Sequence, residues 1–267
     1  YSYNLANGSL TEPYYEAAIT KIFPNAKMQK VFHHQAHAVS ALWTSPFDRA
    51  SIFTIDNGGG WLPWNGIENS TFCIGDKEEG ITVLNHSIKA MTENAPGAFM
   101  LASFYAWVAK YKCEIEGHYL DVAGKLMGMS AYGDYTKVTY GHPFNVFDGN
   151  GFYFPQILDN SKFPTIMQMP DDKHHPHDIA AWAQHELEEA LLEFFNKIKL
   201  KEKYLCLAGG VTYNVSANTR ILEEGPFEDI WICPAASDLG IPLGAAIWGA
   251  FLYEKEIVFP EGVAFLG

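Results

Sequence analysis

The second half of the chain alternates helix and strand, with a glycine turn at one joint. From Asp178 to Lys199, the residues Ile179, Trp182, Ala183, Leu187, Ala190, Leu191, Phe194 and Ile198 recur at helical spacing and form one apolar stripe. Tyr204 to Ala208 (YLCLA) reads as a buried strand that stops at Gly209-Gly210. Val215 to Leu222 reads as a helix, Asp229 to Cys233 as a strand, and Leu243 to Tyr253 as an Ala- and Gly-rich helix that can pack closely. Such an order calls for parallel strand pairing with helices laid over the sheet, the α/β layered class. It also places backbone N–H groups at strand-to-helix turns, where an anion can sit.

The first half carries a different signal. A helix is expected from Pro13 to Phe23, a short strand over Lys30-Val31-Phe32, and a helix from His33 to Trp43 that Ser45-Pro46 stops. Ser51 to Ile55 reads as a strand, broken by Asn57-Gly58-Gly59-Gly60. Strands over 71–75 and 81–85 flank an acidic turn at 76–80, which is a hairpin signal. Helices are expected over 98–112 and 121–132, and loops with short strands over 134–172. A hairpin inside an α/β frame makes the sheet mixed.

Composition narrows the function. With 31 acidic against 18 basic residues the net charge is −13, so nucleic acid is not an expected partner, because a phosphate backbone needs a basic face. At 48% hydrophobic and 18% charged the chain is not disordered. No apolar run reaches the ~18 residues of a membrane span, and no membrane partner is expected. Cys73, Cys113, Cys206 and Cys233 never fall in CxxC spacing, so they read as reduced thiols rather than zinc ligands. Together with the lack of a signal region, they point to a cytoplasmic location.

Four segments can carry chemistry. In His33-His34-Gln35-Ala36-His37, positions i and i+4 share a helix face, so His33 and His37 can present two imidazoles to one metal. His34 with His37 is a poorer pairing, and a polar helix start with hydrogen-bonded histidines is the plain alternative. Imidazole suits Zn, Fe, Cu or Ni, and a carboxylate from elsewhere would complete the site. Ser51 to Gly60 delivers Asp56 into a glycine turn, as phosphate- and metal-binding folds do, although a tight hairpin uses the same residues. Leu205 to Asn214 ends a strand in Gly209-Gly210, a floor on which a flat ring can lie, with Asn214 beside it. Cys233 to Gly240 delivers Asp238 at another strand end, either as a ligand or as a helix cap. Gly124-Lys125-Leu126-Met127-Gly128 lacks the upstream glycine of a P-loop, and His174, His175 and His177 read as solvated surface.

Taken in order, these segments resemble the O-carbamoyltransferases that act on antibiotics and nodulation factors. The resemblance rests on HHQAHAVSA at 33–41, DNGGGW at 56–61, GKLMGMSAYG at 124–133, LAGGVTYNVSAN at 207–218 and PAASDLGIPLGAA at 234–246. More distantly it extends to the tRNA threonylcarbamoyl transferases. It implies an actin-like ATPase superfamily fold of two α/β lobes with mixed sheets, the first incomplete: residues 1–95 as the remainder of the first lobe and 96–267 as the second. It further implies metal-assisted transfer of a carbamoyl group from carbamoyladenylate to a hydroxyl of a small-molecule acceptor, with carbamoyl phosphate as the upstream donor. A divalent iron or zinc would sit on His33, His37 and Asp238. Asp56 would be catalytic, and Asn57, Gly58, Gly59, Lys125, Gly209, Gly210 and Asn214 would hold ATP or carbamoyladenylate. Three positions depart from the pattern: Asn57 stands for a glycine, Gly60 for a polar or acidic residue, and Leu239 stands where a second acidic residue is common.

In that family roughly a hundred residues precede the histidine segment and a carbamoyladenylate-forming domain follows. That domain is an expected partner, in cis or in trans, and the chain alone is not expected to carbamoylate an acceptor from carbamoyl phosphate and ATP. A homodimer is compatible with this reading. The alternative readings are a non-catalytic nucleotide- or metal-binding subunit, and a threonylcarbamoyl-transfer-like protein.

Overall fold

The structure, a computed structural model, describes residues 11–56, 58–59, 61–62, 66–90, 101–140, 142–143, 174–199 and 201–258. Helices α1 (Thr11–Ile22) and α2 (His33–Thr44) come first, then strands β1 (Arg49–Ile55), β2 (Trp61–Leu62), β3 (Gly66–Asp76) and β4 (Gly80–Ala90). Helices α3 (Leu101–Tyr111), α4 (Tyr119–Ser130) and α5 (Pro176–Lys197) follow. The chain closes with β5 (Tyr204–Ala208), α6 (Val215–Glu224), β6 (Asp229–Ile232) and α7 (Ile241–Leu252). The strand expected over residues 30–32 does not form. Phe32 is instead the extended, half-exposed residue that starts α2, and no described strand lies beside it. Most of the 134–172 stretch lies outside the described residues. Its described start holds a single turn, Tyr135–Lys137, capped by the Asp134 carboxylate, which accepts the Thr136 N–H.

The described strands form one mixed sheet. β1 pairs with β3 antiparallel on one side and with β5 parallel on the other, and β6 pairs with β5 in parallel. β4 runs antiparallel along the far side of β3. β2 pairs with the start of β3 where β4 occupies its other side, so β2 continues along the edge that β1 leaves. The expected division at residues 95 and 96 therefore cuts through a sheet. Ser51 to Thr54 are in register with Leu205 to Ala208, and backbone hydrogen bonds join the two halves.

Alternation along the central strands sorts two cores. Ala50 and Ile52 of β1, with Cys206 and Ala208 of β5, pack with α2 and α7 on one face. Phe53 and Ile55, with Leu205 and Leu207, pack under α3, α4, α5 and α6 on the other. There Phe53 meets Phe194 and Phe195 of α5, with ring centroids 4.9 and 5.3 Å apart. All four cysteines are buried and free. Among the described residues no helix is long and apolar enough to cross a membrane.

The α2–α7 contact is tight for a reason legible in α7. A Cβ added to Gly244 would lie 1.9 Å from the carbonyl oxygen of Ala36 on α2, so only glycine lets the helices approach this closely. The Gly244→Ala variant should therefore lose about 1–3 kcal/mol of stability, the usual cost of forcing extra volume into a packed contact. Urea unfolding measures this, and an unchanged midpoint would show that α7 is free to shift.

Candidate functional site

Three parallel strands end at one edge of the sheet, where ligands of open α/β sheets commonly bind. Asp56 directly follows β1, Gly209 directly follows β5, and Asp238 lies in the turn after β6. The start of α2 reaches this edge with three histidines, all buried. The Nε2 atoms of His33 and His37 each lie 3.5 Å from Asp56 Oδ2 and 3.5 Å from Asp238 Oδ1. One ligand atom from each of the four residues falls within 4.8 Å of all the others.

These distances are too long for good N–H···O hydrogen bonds, which center near ~2.9 Å. They match the spacing of donors around an ion: with metal–ligand bonds of ~2.1 Å, tetrahedral neighbours stand ~3.4 Å apart. Both ring nitrogens of His33 and of His37, and Oδ1 of Asp238, are buried without a hydrogen-bond partner among the described residues. Each such atom costs about 1–3 kcal/mol when left unsatisfied. Two imidazoles and two carboxylates are a donor set suited to a divalent transition metal. His33, His37, Asp56 and Asp238 thus fit an ion, and the expected triad gains Asp56 as a fourth donor.

The electrostatics agree. Burial works against the charged form of His37, yet the attraction of the Asp238 and Asp56 carboxylates, each 3.5 Å from Nε2, outweighs it and raises the pKa above its ordinary value of 6.5. In the absence of a cation, a proton on the imidazole balances the two carboxylates.

The glycine turns explain how the backbone comes so near. Gly209 has φ of +97°, and a Cβ there would meet the Ile55 carbonyl oxygen at 2.1 Å. A Cβ on Gly210 would stand 3.3 Å from Asp56 Oδ1, so the floor next to that carboxylate is bare backbone. Gly59 packs against the His34 ring, where an added Cβ would sit 2.6 Å from Cδ2. Gly58 shares that turn, while Asn57 lies outside the described residues.

Two expected nucleotide contacts find other partners. Asn214 caps α6: its Oδ1 accepts the Ala217 N–H, and its amide pairs with that of Gln184 in both directions at 2.9 Å. Lys125 sits on α4, in the layer across the sheet from α2, and its ammonium donates to the Glu116 carbonyl oxygen at 2.7 Å. No hydrogen bond or ion pair among the described residues joins it to the four-residue cluster.

Sequence reasoning gave His34 no role beyond a poorer pairing. The structure sets its Nδ1 2.8 Å from Thr54 Oγ1 and 3.1 Å from Thr71 Oγ1, while Thr71 donates to Glu68 at 2.6 Å. Thr54 and Thr71 face each other across the β1–β3 pair, so register alone brings them together. The signal was present as polar residues inside otherwise apolar strands, but it could not be read before the pairing was known.

Fold and relatives define the class. The chain superposes on T.kodakarensis HypF with a TM-score of 0.56 at 15% identity, covering 92% of this chain and 40% of that one. It superposes on the activator of 2-hydroxyisocaproyl-CoA dehydratase from Clostridium difficile, solved with bound ADPNP, with a TM-score of 0.51 at 14% identity, covering 95% and 87%. The fold is actin-like. The family model described as "Carbamoyltransferase N-terminus" matches residues 14–247, and the chain belongs to that family. Nodulation protein NolO of Bradyrhizobium diazoefficiens is 30% identical over 228 residues, which cover 80% of this chain and 37% of NolO. A Synechocystis protein, sll1178, is 31% identical over 252 residues, covering 85% and 37%. The chain thus spans only 37% of the length of either relative.

The raised His37 pKa sets a sign. Its stabilisation is complete below the unfolded value, near 6.5, and is lost as pH rises through the higher folded value. Chelator-treated protein should therefore melt at lower temperature as pH climbs above about 6.5, and His37→Ala should flatten that slope. A melting temperature with the same pH slope in both proteins would contradict the pairing.

Proposed function

We propose that this chain forms the transfer site of a carbamoyltransferase, moving a carbamoyl group from carbamoyladenylate to a hydroxyl of a small-molecule acceptor. The observation that carries the reading is the convergence of His33, His37, Asp56 and Asp238 beside a bare Gly209-Gly210 floor, in a member of this family. An ion on those four residues, iron or zinc, would supply Lewis-acid polarisation of the carbamoyl carbonyl.

The rest falls to the chain's own groups. Gly209 and Gly210 leave room for the adenylate to lie against backbone. Asp56 turns Oδ2 toward the imidazoles and Oδ1 toward the Gly210 side of the turn. That second oxygen takes the proton from the attacking hydroxyl. The new bond joins the acceptor oxygen to the carbamoyl carbon, the bond from that carbon to the adenylate oxygen breaks, and adenylate leaves with the electron pair. The donor is made from ATP and carbamoyl phosphate by a carbamoyladenylate-forming domain, acting in cis or in trans. The location consistent with this chemistry is the cytoplasm.

The test supplies metal-loaded protein with carbamoyladenylate and a panel of alcohols, and reads carbamates by mass. Asp56→Asn should slow product formation by about 100-fold or more, the range expected for loss of a general base. Carbamate formation at the parent rate in that variant would overturn the assignment. Donor binding without any product in the parent would instead favour a binding subunit whose turnover needs a further domain.

A further inference from the structure

The turn that follows β5 touches both carboxylate-bearing loops. Gly210 faces Asp56 Oδ1, as described above. The Gly209 N–H donates to the Ala236 carbonyl oxygen at 2.6 Å, two residues before Asp238. At the far end of the same turn, Tyr213 reaches the Asp238 loop with its side chain. Its hydroxyl accepts the Ser237 N–H at 3.3 Å and donates to Ser237 Oγ at 3.4 Å. Ser237 has no side-chain capping bond of its own to the short turn Asp238–Gly240, and among the described residues Tyr213 is the side chain that holds it.

We propose that Tyr213 is a positioning residue that ties the glycine floor to the Asp238 loop, so that adenosine on the floor and a divalent metal at the cluster bind with positive coupling. The proposal rests on the reading of Gly209-Gly210 as the adenylate floor. The physical route is short. The turn Gly210–Tyr213 is one hydrogen-bonded unit, with the Thr212 hydroxyl and N–H both bonded to the Gly209 carbonyl oxygen. A ring lying on Gly209-Gly210 orders that unit, and the clamp passes the order to Ser237 and hence to Asp238. A second ligand that needs Asp238 fixed then meets a lower ordering cost. Linkage makes the effect mutual, so metal must tighten adenosine by the same factor. Without the clamp, the Asp238 turn keeps its backbone bonds, among them Gly209 N–H to the Ala236 carbonyl oxygen and Gly240 N–H to the Ser237 carbonyl oxygen, and loses its side-chain tie to the floor.

Adenosine is the right probe because it carries no phosphate that could itself reach the metal. Co²⁺ affinity of the 267-residue chain would be titrated by its visible absorption, with and without saturating adenosine. The parent, Tyr213→Phe, Ser237→Ala and the double variant would be compared. The expected result is a tightening of about 5-fold by adenosine in the parent, a coupling of the usual size. It should fall below about 2-fold in each single variant, with the double variant no worse than either single. A general loss of structure would lower melting temperature and the affinity for both ligands, whereas loss of the clamp lowers their coupling while each still binds. Equal coupling in Tyr213→Phe and the parent would overturn the clamp. A parent that binds Co²⁺ but shows no adenosine binding would overturn the floor reading on which it rests.

Discussion

Everything at the site depends on the parallel pairing of β1 with β5. Ser51 to Thr54 run beside Leu205 to Ala208 in register, so both strands end at the same edge. Asp56 and Gly209 are far apart in the chain, and that pairing alone brings the carboxylate over the glycine floor. A slip of one residue would turn Phe53 and Ile55 from one core to the other and carry Asp56 away from the imidazoles. Burial on both faces prevents the slip: Phe53 is locked among Phe194 and Phe195, and Ile52 is locked under α2 and α7.

On that frame the cluster is assembled from three independent directions. Helix α2 supplies both histidines, and its position is set by the Gly244–Ala36 contact with α7. β1 supplies Asp56, and the turn after β6 supplies Asp238. Two buried imidazoles facing two partly exposed carboxylates at 3.5 Å gain little from direct hydrogen bonds, which are too long to be strong, and burial opposes the charge that their pairing needs. They make physical sense as donors held ready for a cation, their stability cost offset by the packing around them.

Much of this was legible in the residues. The spacing of His33 and His37 predicts a shared helix face, and α2 runs from His33 to Thr44 as that requires. The strand YLCLA appears over Tyr204–Ala208, and Asp238 sits at the expected strand end. What could not be read depends on pairing. That β1 pairs with the hairpin strand β3 on one side and with β5 on the other, so that strands from before and after residue 95 share one sheet, is visible only in three dimensions. Asn214 reads as a ligand because its amide can donate and accept, but Gln184, a helix away, takes both functions. Lys125 took its expected role from the family resemblance, and the structure shows that α4, which carries it, packs in the layer opposite α2. In each case the residue type was informative and its neighbours in space were not.

The account stands on a metal held by His33, His37, Asp56 and Asp238. X-ray absorption spectroscopy of the iron- or zinc-loaded chain tests it most directly, because it reads the ion's own surroundings. Two imidazole nitrogens and two carboxylate oxygens at about 2.0–2.2 Å are the expected protein ligands. A first coordination sphere with one imidazole or none, in protein whose fold is intact, would contradict it.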